Sequence, residues 1–234
     1  MKQSITYGTT IIEYNLEYSD RKTLGIKVHP DSSVNVTAPT DSTNNKIKEK
    51  VKSKAHWILK QQEYFISFRP LTPPRKYISG ETHLYLGKQY RLKVKQSKEE
   101  SVKLIGGNII IKTTTKKDKE RIEKQLGEWY VSKAKKHFKE IFDQWISIYP
   151  STKLKNPVLE LQWMKKRWGS CDRKGKIKLN VELIKAPKPC IEYVMIHEIC
   201  HLTYLNHSKD FYKLLDIHYP SWRKVKTRLE HFMA

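Results

Sequence analysis

The sequence predicts an α+β protein: a β-rich N-terminal region with an amphipathic helix, then a mixed helical and β C-terminal region organised around a helix of HExxH pattern. Three observations lead there. Residues 1–40 alternate apolar and polar side chains at the period of a strand. Two later stretches change to the three-and-four spacing of a helix. The pentapeptide His197-Glu198-Ile199-Cys200-His201 follows a nearly apolar run, Ile191 to Ile196, as a buried helix would.

Strand-like runs come first, at Thr10 to Tyr18, Leu24 to Val28 and Val34 to Thr37, punctuated by turn formers at Asp20, Pro30-Asp31 and Pro39-Thr40. They read as a meander or hairpin. Ile47, Val51, Ala55, Ile58, Gln62 and Phe65 then lie three or four apart, which predicts one helix over 41–66 with Asp41 or Ser42 as its cap. The proline-rich stretch from Arg69 to Pro74 stops that helix and acts as a stiff connector. Strands return from Tyr77 to about Thr113, with Gly80, Gly87 and Gly106-Gly107 at turns. Ile122, Leu126, Trp129, Ala134, Phe138 and Phe142 mark a long amphipathic helix over roughly 116–148, ended by Tyr149-Pro150. Two strands, Val158 to Lys165 and Lys176 to Asn180, flank a polar turn from Gly169 to Gly175. The HExxH helix spans roughly 188–204, and a last helical region runs from about Ser208 to the end, broken near Pro220. No internal repeat is visible. The reading divides the chain into 1–113 and 114–234, with a soft boundary and one continuous domain as the alternative.

The chemistry is concentrated in the HExxH segment. His197 and His201 are four apart on a helix, so their imidazoles leave one face and can grip a single ion from adjacent turns. Glu198 lies 100° round, where its carboxylate reaches an activated water rather than the metal. A catalytic zinc needs a third protein ligand and an open position. His207 is the candidate, provided the chain turns between Tyr204 and Asn206. Asn206 suits a left-handed helix end and Ser208 suits the cap of the next helix. His218 and His231 read as surface or packing residues. Upstream, Arg167-Trp168-Gly169-Ser170-Cys171 fits an edge strand beside the cleft, where a peptide could add a strand. Arg167, Trp168, Gly169, Ser170 and Tyr204 are therefore candidate substrate or transition-state contacts, with Trp168 as core and Cys171 as a small buried residue the plainer reading.

Taken in order, RWGSC (167–171), IKLNVELIKAP (177–187) and YVMIHEICHLTYLNHSKDF (193–211) resemble the YgjP-like metallopeptidase family, a branch related to SprT-like and WLM proteases. Weaker similarity extends upstream through the Trp57 helix and residues 79–94. The resemblance implies a zincin-like, gluzincin-type peptidase with one Zn2+ per chain. It also implies His197, His201 and His207 as ligands and Glu198 as the catalytic carboxylate. Metzincins share the six-residue step to a third His but carry Gly where this chain has Tyr204, and the only later Met is Met233.

The 234 residues, 38% of them hydrophobic, can bury a sizeable core. No apolar run is long enough for a leader or a spanning helix, and three cysteines without a CxxC pair do not form a disulfide framework; a cytoplasmic protein with no membrane partner is expected. A net charge of +22 points to a nucleic-acid partner beside a protein or peptide substrate. Against that, only nine of the 46 basic residues are Arg and the Lys are spread along the chain, as a lysine-rich composition alone would leave them. Two rivals to the peptidase follow: a basic nucleic-acid-associated protein whose zinc only staples the fold, and a hydrolase of some other acyl or amide bond.

Overall fold

The computed structural model describes residues 1–29, 31–67, 74–149 and 157–233. The connector expected at 69–74 lies outside them except for Pro74, as does Pro150. The described residues are α+β, in two compact units, Met1–Thr72 and Pro73–Met233.

In the first unit, β1 (Lys2–Tyr7) and β2 (Thr10–Ser19) form one hairpin, and β3 (Gly25–Val28) and β4 (Val34–Pro39) another. The two join through parallel pairing of β2 with β4, giving the order β1-β2-β4-β3. Of the two arrangements the sequence suggests, the hairpin is found, twice over, and not the meander, because strand period says nothing about which edges pair. Ile12, Leu16, Val34 and Val36 line the covered face. Ile47, Val51 and Ile58 close the core from α1 (Asn44–Ser53) and α2 (Ala55–Ile66). The single helix expected over 41–66 is thus two, broken at Lys54, and its N-cap is Thr43 rather than Asp41 or Ser42.

The second unit opens with the same arrangement. β5 (Thr82–Tyr85), β6 (Lys88–Gln96), β7 (Ser101–Ile105) and β8 (Asn108–Thr113) take the order β5-β6-β8-β7, again two hairpins joined by a parallel pair, β6 with β8. A helix follows, α3 (Lys119–Ile148), capped by Asp118, whose carboxylate accepts from the Arg121 amide at 3.0 Å. From β4 and β8 onward the buried positions of the two units correspond at a constant offset: Val34 with Ile109, Val36 with Ile111, Ile47 with Ile122, Val51 with Leu126 and Ala55 with Tyr130. The N-caps Thr43 and Asp118 keep the same offset. The chain therefore carries one ββββα module twice. Sequence reading misses this repeat because the shared signal is apolarity at spaced positions, with almost no shared identity.

β9 (Val158–Gln162), β10 (Gly169–Cys171) and β11 (Lys176–Asn180) make a third sheet, ordered β10-β11-β9, with β10 at the edge. A 3-10 turn over Val181–Lys185 leads to α4 (Lys188–Cys200), then α5 (Lys209–His218) and α6 (Trp222–Met233). One core holds these elements and the second module together: Leu92, Ile109 and Ile111 share it with Phe138, Leu179, Ile196 and Leu215. The sequence reading sets its soft boundary at 113; β5 to β8 lie in the unit that contains α4. Part of the reason is the β5–β6 turn. Its Leu86 and Gly87 amides donate to the carbonyls of Ile184 and Lys185 at 2.9 and 3.0 Å, just ahead of α4. Among the described residues, no helix is long and apolar enough to cross a membrane.

Candidate metal centre

Helix α4 is buried on almost every side: Ile191, Met195, Ile196, Ile199 and Cys200 have no exposed surface. Its last turn carries His197 and Glu198, and His201 is its C-cap, still in right-handed helical conformation. The chain then tightens rather than continuing to 204 as the sequence suggests. Leu202 donates to Ile199 at 2.9 Å, and Thr203 and Tyr204 both donate to Cys200. Asn206 is not left-handed, contrary to expectation; the reversal is made by this stacked turn and by the Ser208 amide donating to Asn206. Ser208 does cap α5, its hydroxyl accepting from the Phe211 amide at 3.3 Å.

The reversal brings His207 back onto the helix. One nitrogen from each of His197, His201 and His207 lies within 4.8 Å of the others, and the Nε2 atoms of His197 and His207 are 3.0 Å apart. His201 Nδ1 donates to the Tyr204 carbonyl at 2.9 Å, which leaves its Nε2 lone pair for the cluster. Fully buried Phe211 sits among all three rings, 5.0, 4.6 and 4.8 Å from those of His197, His201 and His207. Burial pushes His197 down to about 3, helped by its two histidine neighbours and Lys226, and burial also lowers His201. Both therefore stand as neutral imidazoles at physiological pH, the form that donates lone pairs. His197 Nδ1 is buried without a hydrogen-bond partner among the described residues; its ring is held by Tyr193 and Phe211 instead.

Glu198 is 6% exposed, and burial raises its carboxyl to about 8, opposed by the nearby Arg167 charge. The edge strand presses directly on it. A Cβ built on Gly169 would stand 2.7 Å from both Cγ and Oε1 of Glu198, so any larger residue there would force the Glu198 side chain to move. The segment entering β10 is fixed by Asn180, 2% exposed and fully satisfied. Its Nδ2 donates to the carbonyls of Met164 and Arg167, and its Oδ1 accepts from the amides of Met164 and Glu182.

The structure thus brings together His197, Glu198, His201, His207, Gly169 and Arg167. Tyr204 contributes its carbonyl; its side chain is 37% exposed. Ser170 pairs with Lys178 along β10, and Trp168 packs on the core. His218 lies apart from the triad, packed between Trp145 and Tyr149. Sequence reasoning leaves Asn180 as a connector and places Phe211 only within the segment 206–211 that resembles the family's third-ligand motif; His207 lies ahead of α5, so no helical spacing puts Phe211 beneath it.

The model of the YgjP-like metallopeptidase domain matches residues 22–232. The chain belongs to that family. No curated protein and no solved structure gave a match. A YgjP-like metallopeptidase is a peptidase that works with a metal, and the donor set fits one. Two donors at about 2.0–2.1 Å from a tetrahedral zinc lie roughly 3.3 Å apart, close to the His197–His207 separation. The three histidines, two at the end of α4 and one in the loop ahead of α5, surround one buried phenyl ring. The YgjP-like match also covers β10 and Asn180, so the edge strand and its clamp fall within the family's own domain.

Proposed function

We propose that this chain is a zinc-dependent peptidase in which His197, His201 and His207 hold the ion and Glu198 is the general base. The observation that carries it is the convergence of three histidine nitrogens beside a buried carboxylate on the same helix. Bound zinc supplies Lewis acidity toward a carbonyl oxygen and lowers the pKa of water toward neutrality. The Glu198 carboxylate would take the proton from the attacking water and pass it to the leaving amide nitrogen. Gly169 lets β10 come close enough to hold that carboxylate in place; burial alone would keep it protonated near neutrality, and the charge of a bound ion, added to that of Arg167, would favour its ionised form. An extended peptide lies along the open edge of β10, main chain to main chain.

Two features favour turnover over a zinc that merely staples the fold. Structural sites are closed by four protein ligands, whereas the cluster found among the described residues has three. A staple also needs no buried carboxylate beside it. The free sheet edge favours a peptide over other acyl substrates.

Zinc content by mass spectrometry and turnover of an unfolded protein substrate test this together. Wild type and Glu198→Gln should each hold about one zinc per chain, with turnover in the variant reduced by roughly 10²–10⁴-fold. His201→Ala should lose the metal. Full activity in Glu198→Gln would sink the mechanism, and failure of the reconstituted wild type to bind zinc would sink the site.

A further inference from the structure

One sheet face is left open by the second module. Covered by α3 on the side of Leu92, Ile109 and Ile111, the sheet turns Arg91, Lys93, Lys95, Lys103 and Lys112 to the other side, all exposed. None of the five is ion-paired among the described residues, and β5 to β8 place no Asp, Glu or aromatic residue on that face. Lys95 stands directly opposite Lys112, a like-charged cross-strand pair that costs stability.

A lysine-rich composition does not account for this, because the chain contains its own control. With Val36 matched to Ile111, the strand registers match Glu13 to Arg91, Asn15 to Lys93, Glu17 to Lys95, Lys27 to Lys103 and Thr37 to Lys112. On the same backbone the first module's face carries two acids and one base at these positions, and Asn15 donates to Asn35 across it at 3.2 Å. Compositional bias would load both faces alike. Only the one in the unit that holds the histidines is basic at all five, with Ser101, Ile105, Asn108 and Ile110 between the cations.

From this we infer that the open face of β5 to β8 binds the phosphate backbone of duplex DNA. Along β6 the cations span about 13 Å, and the three strands β6, β8 and β7 span about 10 Å. That matches phosphate rims about 12 Å apart across the major groove of B-form DNA, whereas A-form RNA closes that groove to a narrow slot. The absence of an aromatic residue removes the stacking platform on which a single strand would rest. Contacts to phosphate alone make the binding independent of base sequence. The inference does not depend on the peptidase reading, since the face is separate from the histidines and binding is read without turnover.

The test is fluorescence anisotropy of the full chain with a labelled mixed-sequence duplex of about 20 base pairs, across a salt series around ~100 mM. A triple variant, Lys93→Gln/Lys95→Gln/Lys103→Gln, is compared with one of equal charge change on α1, Lys46→Gln/Lys48→Gln/Lys50→Gln. The sheet variant should bind at least roughly tenfold more weakly, with a log–log salt slope shallower by about 3. The α1 variant should bind as wild type does. Its thermal midpoint serves as the folding control for the sheet variant, which relieves repulsion and should melt no lower. Equal weakening in both variants would reduce the effect to net charge and overturn the inference. So would tighter binding to single-stranded DNA or to an RNA duplex of the same length, or binding only to anionic lipid vesicles.

Discussion

At the scale of single residues, the site turns on Gly169. Its missing side chain is what lets the edge strand lie against Glu198, with a would-be Cβ 2.7 Å from the carboxylate. Gly169→Ala should therefore keep zinc, because the nearest atoms a Cβ there would meet all belong to Glu198, and lose turnover by roughly 10²-fold as the carboxylate is displaced. Metal content and single-turnover rates measured on one preparation check it; unchanged turnover would mean the contact is incidental. Residues such as His197, Glu198 and His201 are legible in the sequence because helical spacing alone fixes their mutual geometry. His207 is legible only as a need for a third ligand, and the turn that delivers it is built differently from the one the sequence suggests. Gly169 is legible only as a candidate substrate contact on an edge strand; its contact with Glu198, and the places of Phe211 and Asn180, need tertiary contacts to be read. A glycine forced by a carboxylate distant in the chain and a glycine in a loop look the same in a sequence.

At the scale of elements, the β5–β6 turn ties the second module to the start of α4. Gly87 has φ +77°, and a Cβ there would meet Pro187 Cα at 2.8 Å, at the very start of α4. Replacement by Ala adds a backbone clash to the ordinary cost of a left-handed non-glycine residue. Gly87→Ala should destabilise by about 2–4 kcal/mol. Gly107→Ala, with φ +76° but nothing within 4 Å, should cost only about 1 kcal/mol. The difference in urea midpoints isolates the docking contact; equal losses would show that conformation alone is responsible. Periodicity makes the elements themselves readable: α3 and most strands fall where alternation and helical spacing put them. β10 is too short for periodicity and shows in the sequence only as an edge-strand candidate within 167–171, and the break at Lys54 leaves the apolar spacing of α1 and α2 in phase, so one helix and two look alike.

For the whole molecule, the two units have cores with no residue in common. Calorimetry should resolve two transitions. Chelation should move only the one belonging to Pro73–Met233, where the histidines lie. With zinc at a thousandfold excess over its dissociation constant the linkage is worth about 4 kcal/mol, a shift on the order of 10 °C for a unit of this size. One transition, or two that shift together, would contradict independent cores. The α+β class is legible at this scale, but the pairing of sheets is not, since it depends on which strand edges meet. The doubled module is hidden for a related reason: burial constrains apolarity and size, leaving identity free to drift until only spacing remains. That freedom has a practical side. Each module is a working specification for the other, written in side chains already accommodated at every register position. Glu13, Asn15 and Glu17 can be transcribed onto positions 91, 93 and 95 as a set, so redesign of the outer face can begin from a template that the chain itself supplies.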